Sequence, residues 1–362
     1  MGKEISPNNP LVFNEGQYEA VDIDSFINEQ RPKVYEGYEK QLEEVFEITH
    51  PELKGKDNYQ QELARFLSQK KECDMKIQGS WIFFPWNNTL VHMVSEDDYF
   101  HLRTNRNRNL ITPEEQLQLY NSCVGVIGLS IGSHMAVGLT YQGIAKHMKI
   151  AEFDTLETCN LNRVRATLLD IGKPKLQTTA HQIYESNPYS QLTFFEKGLN
   201  KENLKTFLTT GKKPDIIFEA IDDFEMKILL RFACREAGIP VVMFSNLEDS
   251  VMIDIERYDL DPKMLIFNGQ IGDLGEEILK EPMTEEAKHK YAVKMVGREN
   301  VPPRAMESVL EIGKSLVGRP QLSSTVAISG ALATYYSRQY ILYKNIPNGR
   351  KLVKFDDIFL KF

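Results

Sequence analysis

From Cys123 onward the chain alternates short apolar runs with longer stretches of helical periodicity, and few folds accommodate that rhythm. "VGVIGL" is an apolar run with a glycine near its end, "SHMAVGLTYQGIA" has helical spacing, and "HMKIAEFD" is a second apolar run. "KPKLQTTAHQIYESN" again reads as helix, "PDIIFEAI" as strand, "DFEMKILLRFACREAG" as helix and "IPVVMFSN" as strand. Strands this uniformly apolar are buried on both faces, and parallel neighbours need crossovers long enough to hold a helix. The expected fold class is α/β: a doubly wound, mainly parallel sheet with helices on both faces.

Right-handed crossovers place the strand C-termini along one edge, where open parallel sheets bind ligands. Gly128, Asp154, Asp222 and Ser245 close the four runs on that edge. The chain has a different texture on either side. Between about Pro32 and Lys71, "VYEGYEKQLEEVFEI" and "YQQELARFLSQ" read as two helices, and "IQGSWIFFPWNNTLVHMV" reads as a hairpin about Asn87 and Asn88. None of these carries recognisable chemistry. After about Asp249 the pattern weakens, although "LIFNGQIGDLGEEIL" and the small-residue stretch "QLSSTVAISGALATYYSRQYIL" still indicate ordered structure. The expected organisation is a small α+β accessory module over 1–104, the α/β core over 105–250, and a C-terminal region over 251–362 continuous with the core.

Composition excludes several functions. A formal charge of −8 argues against a nucleic-acid partner, because phosphate backbones are held by a cationic surplus. No window approaches ~18 consecutive apolar residues, so no membrane span is expected. "MGKEISPNNP" lacks the apolar stretch of a secretory signal, which makes the cytoplasm the expected location. Cys73, Cys123, Cys159 and Cys234 form no C-x-x-C pair, so neither a disulfide framework nor a zinc site is expected.

"GVIGLSIGSH" lies between the first strand and first helix of the alternating region, where backbone amides and a helix N-terminus can hold a phosphate. It departs from G-x-G-x-x-G: Gly128 is the first glycine, Ser130 replaces the second, Ser133 replaces the third, and Gly132 stands between them. A tight turn without a ligand is the alternative for this stretch alone. In dinucleotide-binding folds an acid about 20 residues past the turn holds a ribose. Glu152 and Asp154 stand there, which suits a nicotinamide-dependent oxidoreductase equally well. Such an enzyme does not account for the "NLNR", "GKPK" and "AIDD" that follow.

In combination, the glycine turn, "EFDTLETCNLNR", "GKPK" and "EAIDD" resemble the ubiquitin-activating type of adenylyltransferase, including the ThiF-like activators of thiamine and molybdopterin sulfur carriers. The resemblance covers about Asn105 to Asn246. It implies a Rossmann-like fold that activates a carboxylate with ATP and Mg²⁺ and releases pyrophosphate. By resemblance, Gly128, Ser130, Gly132 and Ser133 cradle phosphates, Arg163 and Lys175 contact them, and Asn160 joins the same site. Asp222 holds Mg²⁺, and Asp154 or Glu152 binds the ribose. From "RTNRNRNLI", Arg108, with Arg106 as second choice, reaches into the neighbouring subunit's site in a homodimer. The acid implied is the C-terminus of a small ubiquitin-like or sulfur-carrier protein, a peptide, or a small molecule.

Each residue has a plainer alternative. Asn160 can cap a turn, and Asp222 or Asp223 can cap the following helix. The chain also departs from the family: Glu152 replaces an aspartate, the zinc-binding cysteine pairs are missing, and no cysteine follows Cys234. Cys234 falls in an apolar helical run, and Cys159 occupies a position where packing is expected. Adenylation without a downstream enzyme thioester is therefore expected. An NAD-dependent oxidoreductase and a non-catalytic partner subunit of an activating heterodimer are the rival classes.

Overall fold

A computed structural model describes residues 6–280 and 284–360. The first five residues of "MGKEISPNNP" thus lie outside the described residues. The chain divides into two compact units, one of residues 1–116, 141–143 and 180–190, the other of 117–140, 144–179 and 191–362.

The first unit begins with β1 (Leu11–Asn14), α1 (Ala20–Gln30), β2 (Lys33–Glu36), α2 (Tyr38–Thr49) and α3 (Tyr59–Lys70). β3 (Ser80–Phe84), β4 (Thr89–Met93), α4 (Glu96–Thr104) and α5 (Pro113–Tyr120) follow in the chain. β3 and β4 form the expected antiparallel hairpin, with Asn88 at a φ of 50°, in the left-handed region asparagine tolerates. Sheet order is β1-β3-β4-β2, with β2 parallel to β4. The helix expected across "VYEGYEKQLEEVFEI" starts late, because Val34–Glu36 belong to β2. β-branched Val34 and aromatic Tyr35 favour a strand where an edge is available to pair with, and Gly37 separates that strand from α2. Ile23, Phe26 and Ile27 of α1 cover Phe13, Trp81 and Phe83 on one sheet face.

The second unit holds the alternating region. β5 (Cys123–Ile127), β6 (His147–Ala151), β7 (Gln191–Phe195), β8 (Ile216–Glu219) and β9 (Val241–Leu247) run parallel in the order β9-β8-β5-β6-β7. β10 (Ser250–Glu256) and β11 (Gly349–Lys354) extend the sheet antiparallel beyond β9. The residues assigned separately to 105–250 and 251–362 by sequence thus share one sheet. Its helices include α6 (Leu129–Tyr141), α8 (Leu204–Thr209), α9 (Phe224–Ala237), α10 (Gly275–Ile278), α11 (Glu285–Val296), α12 (Pro303–Glu311) and α13 (Ser323–Tyr343), and α7 (Lys175–Ser186) begins in it.

Successive strand residues point to opposite faces. Ile217 joins Met243 and the α8–α9 side chains Phe207, Phe224 and Ile228, whereas Phe218 stacks on Phe244, which meets Tyr336 of α13. Both faces are therefore covered, and the sheet is the expected doubly wound one. Winding reverses between β5 and β8, which makes their C-terminal ends the switch point.

Beneath that point lies a buried ion network. Arg231 of α9 has no exposed surface; its guanidinium reaches Glu219 at 3.0 Å and Glu256 at 2.7 Å, and Lys227 reaches Glu219 at 2.6 Å. Burial alone raises the Glu219 carboxyl, but the Lys227 and Arg231 cations overcome this and hold it below its usual range. Glu219 Oε1 also accepts the amide of Ile221 at 2.9 Å, so the network holds the chain next to Asp222. Arg231→Met leaves Glu256 buried without its cation and Glu219 with Lys227 alone, and is expected to lower unfolding free energy by about 3–5 kcal/mol. Guanidinium denaturation measures this, and a loss below about 1 kcal/mol contradicts it.

Candidate functional site

The strand ends at the switch point are tied together by backbone hydrogen bonds. Gly128 N donates to Ala151 O at 2.9 Å, and Ala220 N donates to Ile127 O at 2.8 Å. Gly128 has a φ of 84°, and a Cβ built there would lie 2.4 Å from Ala220 O, so only glycine fits. At Gly132 a Cβ would meet Val126 Cγ1 at 2.8 Å; its absence lets α6 sit close on β5. The turn thus keeps two glycines that close packing requires, although its serines break the dinucleotide pattern.

Glu152 closes the turn from the other side. Its carboxylate is buried and accepts three backbone amides: Leu129 at 2.7 Å, Phe153 at 2.8 Å and Asp154 at 3.0 Å. A carboxylate has about four acceptor positions, so one is left. Ser133 Oγ donates to Ser130 O at 3.1 Å, while Ser130 Oγ is buried with no hydrogen-bond partner.

The polar loop after β6 folds back on this turn. Leu156 and Lys173 pair through backbone at 2.8 Å, and Lys175 starts α7 with its Nζ 2.7 Å from Asp154 Oδ2. Lys175 is buried and Asp154 about half exposed. Asn160 is buried, and its Oδ1 accepts the Glu157 amide at 3.2 Å, the turn-capping role anticipated as its plainer alternative. Arg163 donates to Asn162 Oδ1 at 2.8 Å and Cys159 O at 3.3 Å, yet its Nε is buried without a partner. His134 Nε2 bonds Arg163 O at 2.9 Å and Arg165 N reaches Ser133 Oγ at 3.5 Å, which seats the arginine loop on the first turns of α6.

The neighbouring aspartates divide their work. Asp223 Oδ1 accepts the Met226 amide at 3.1 Å and caps α9, whereas the Asp222 side chain is 95% exposed, with Arg319 at 3.7 Å as its cation. Arg106 and Arg108 fall in the first unit, and both are exposed. Gly128, Ser130, Gly132, Ser133, Glu152, Asp154, Asn160, Arg163, Lys175 and Asp222 all fall in the second, along its switch-point edge.

One expectation is overturned. Cys159 does not pack but is exposed, with Sγ donating to Glu157 Oε2 at 3.3 Å, because it sits on the outer side of a short turn. Cys234 is fully buried, as its helical run implied. Sequence reasoning missed His134 and Arg319. His134 is hidden in helical spacing, and Arg319 reaches Asp222 only through the tertiary fold. Among the described residues no cluster of three or more His, Cys, Asp or Glu side chains suits a metal ion, and no helix is long and apolar enough to cross a membrane.

Comparison with known proteins agrees with this geometry. The model of the ThiF family matches residues 104–354. The uncharacterized protein MT1398 of Mycobacterium tuberculosis (strain CDC 1551 / Oshkosh) is 31% identical over 303 residues, covering 83% of this chain and 42% of that protein. Ubiquitin-like modifier-activating enzyme 5 of Rattus norvegicus is 25% identical over 197 residues, covering 51% of this chain and 47% of the enzyme. The chain spans less than half the length of either relative. The crystal structure of selenomethionine PaaA superposes with a TM-score of 0.51 at 18% identity, covering 72% of this chain and 77% of PaaA, a likeness of fold.

His134 offers a pH test of the site's packing. Burial lowers its pKa below the ordinary 6.5; the bond to Arg163 O opposes this and the Arg165 cation adds to it. Folding thus favours neutral imidazole, so its stabilisation is complete above pH 6.5 and is lost as pH falls through the lowered value. Stability should decline more steeply from pH 7 to about pH 5 in the parent than in His134→Gln, measured by urea unfolding. Parallel profiles would contradict that coupling.

Proposed function

Since the chain belongs to the ThiF family, we propose that it adenylates a carboxylate with Mg-ATP and releases pyrophosphate. The observation that carries this proposal is the meeting of three segments at one sheet edge: the glycine turn, the Arg163 loop and the Asp222 strand end. Two polar atoms buried there, Ser130 Oγ and Arg163 Nε, lack partners and fit phosphate oxygens. The Gly128–Ala220 approach leaves the turn's backbone uncovered by any side chain at that residue, which suits close phosphate contact.

A substrate carboxylate oxygen bonds to the α-phosphorus as the bond to pyrophosphate breaks, and the electron pair leaves with pyrophosphate. Positioning and charge stabilisation dominate such a transfer. Arg163 and Lys175 supply cations, and the Asp154 contact holds Lys175 at the start of α7. The remaining acceptor position on Glu152, or the exposed side of Asp154, serves the ribose hydroxyls. Asp222 would hold Mg²⁺, which offsets triphosphate charge and needs few protein ligands because water and phosphates complete its shell. The acid is the C-terminus of a small ubiquitin-like or sulfur-carrier protein, a peptide, or a small molecule.

Asp222 and Asp223 separate metal binding from capping. Asp222→Ala should abolish ATP–pyrophosphate exchange in a folded protein, whereas Asp223→Ala should keep exchange and lose about 0.5–2 kcal/mol of stability. Equal loss of exchange in both would remove the special role of Asp222. In the proposed homodimer Arg108 acts across the subunit boundary, so mixing an Arg108→Ala chain with the Asp222→Ala chain should restore some exchange. A strictly monomeric, fully active protein excludes that dimer.

The acyl adenylate passes directly to an amine, sulfur donor or internal nucleophile. Burial pushes the Cys234 thiol far above its ordinary pKa, and Cys159 lies against a carboxylate. Cys159→Ser should keep both exchange and acyl transfer within about tenfold of the parent, or 1.4 kcal/mol. Loss of transfer with exchange intact would reveal a thioester.

A further inference from the structure

Beyond the nucleotide edge, the second unit contains a cavity of about 340 Å³. It is lined by the end of β9 at Asn246 and Leu247, by α11 and α12, and by Arg319, Pro320 and Leu322. From α11 come Ala292, Val293 and Val296; from α12 come Ala305, Met306 and Val309. These positions follow helical spacing, so each helix turns an apolar stripe to the same space. The polar lining is sparse: Asn246, Ser308, the guanidinium residues Arg304 and Arg319, and the acids Glu248 and Asp249 of the β9–β10 turn.

Three observations mark this as a built site. Asn246 is 4% exposed, and although its Oδ1 is engaged by Ser329 Oγ at 2.9 Å, its Nδ2 is buried with no partner. Asn246 itself lines the cavity, and a half-satisfied buried amide at its wall is costly. The segment Arg319–Leu322 has two sides. Arg319, Pro320 and Leu322 line the cavity, while Arg319 also reaches Asp222 at 3.7 Å and Gln321 O accepts from Asn162 Nδ2 at 2.9 Å. The cavity is therefore joined, through one short segment, to both the Asp222 loop and the Arg163 loop. Its volume lies near the small end of the roughly 300–1,000 Å³ typical of ligand pockets, enough for a side chain or a short acyl chain and far too small for a folded domain.

We propose that this cavity takes the apolar body of a carboxylic acid and directs its carboxylate past Arg319 toward the Asp222 edge. The assignment rests on the adenylation proposal and names the substrate class for it: an aliphatic or aromatic acid, free or as the last residue of a peptide, rather than a polar or glycine terminus. Arg319 is the carboxylate's positioning cation during approach, and the α11 and α12 stripes select its apolar portion. A hydrophobic pocket discriminates weakly between acids one methylene apart, so a range of chain lengths is expected to bind.

The test is direct titration followed by NMR with hexanoate, 3-phenylpropionate, a tetrapeptide ending in leucine, and glycylglycine. Hexanoate and 3-phenylpropionate should bind saturably and glycylglycine should not; comparable binding of the peptide identifies a peptide terminus as the source of the acid, and its exclusion identifies a free acid. Ala305→Trp and Val309→Trp, each filling the cavity from α12, should weaken hexanoate at least tenfold while ATP titration stays unchanged. Retained ATP binding also shows that each variant is folded. Hexanoate binding unaffected by both variants, or a preference for glycylglycine, overturns the pocket assignment while leaving adenylation standing. Saturable hexanoate binding without any pyrophosphate exchange sinks the adenylation proposal and, with it, the assignment of the cavity to an acyl substrate.

Discussion

The close approach of Gly128 to Ala220 is the constraint on which the rest of the site depends. With 2.4 Å between an imagined Cβ and the Ala220 carbonyl oxygen, any side chain would force β5 and β8 apart at their C-terminal ends. Those two ends are where the winding reverses, so the crevice formed there is the place an open parallel sheet offers to a ligand. The same contact brings the chain leading to Asp222 against the glycine turn. Glu152 then fixes the turn to β6 with three amide hydrogen bonds, and Glu219 fixes the Asp222 side through the Ile221 amide. Two buried carboxylates, one on each flank, therefore shape the backbone of the edge, while the Asp222 carboxylate beside them stays exposed.

Much of this was legible in the sequence because it is local. Each strand of the parallel sheet is an uninterrupted apolar run, each crossover has helical spacing, and the polar residues closing the runs fall on one edge by topology alone. The hairpin about Asn88 was readable for the same reason. Illegible features depend on partners distant in the chain. Val34–Glu36 become a strand only because β4 offers an edge. Arg319 meets Asp222 and Asn246 meets Ser329 across gaps no periodicity reveals. Glu152 and Lys175 are legible as candidates, but their partners, three backbone amides and Asp154, are seen only once the loop after β6 is folded back on the turn. Packing is expected of Cys159 because the resemblance puts a small residue at that position, whereas in the fold it is exposed on a short turn.

The fold also joins parts that the sequence separates. β10 and β11 complete the sheet begun at β5, and α11, α12 and α13 follow from the same segment, so the switch-point edge and the apolar cavity belong to one packed unit. The network of Glu219, Lys227, Arg231 and Glu256 ties α9 to β8 and β10 in the same unit. Burial keeps the Glu256 carboxyl above its usual range in spite of Arg231, while Glu219 is held below its own, which leaves Glu219 as the better-compensated anion and the one that braces the Asp222 loop.

Adenylation at this edge, as proposed, bonds a carboxylate oxygen to the α-phosphorus of ATP. An acid labelled with ¹⁸O in its carboxylate, incubated with the protein, ATP and hydroxylamine as acyl trap, tests it through the mass of the AMP formed. Attack on the α-phosphorus followed by cleavage of the acyl carbon–oxygen bond predicts AMP carrying one ¹⁸O atom, equimolar with the hydroxamate. Unlabelled AMP, or ADP with label in inorganic phosphate, would contradict adenylation at this site.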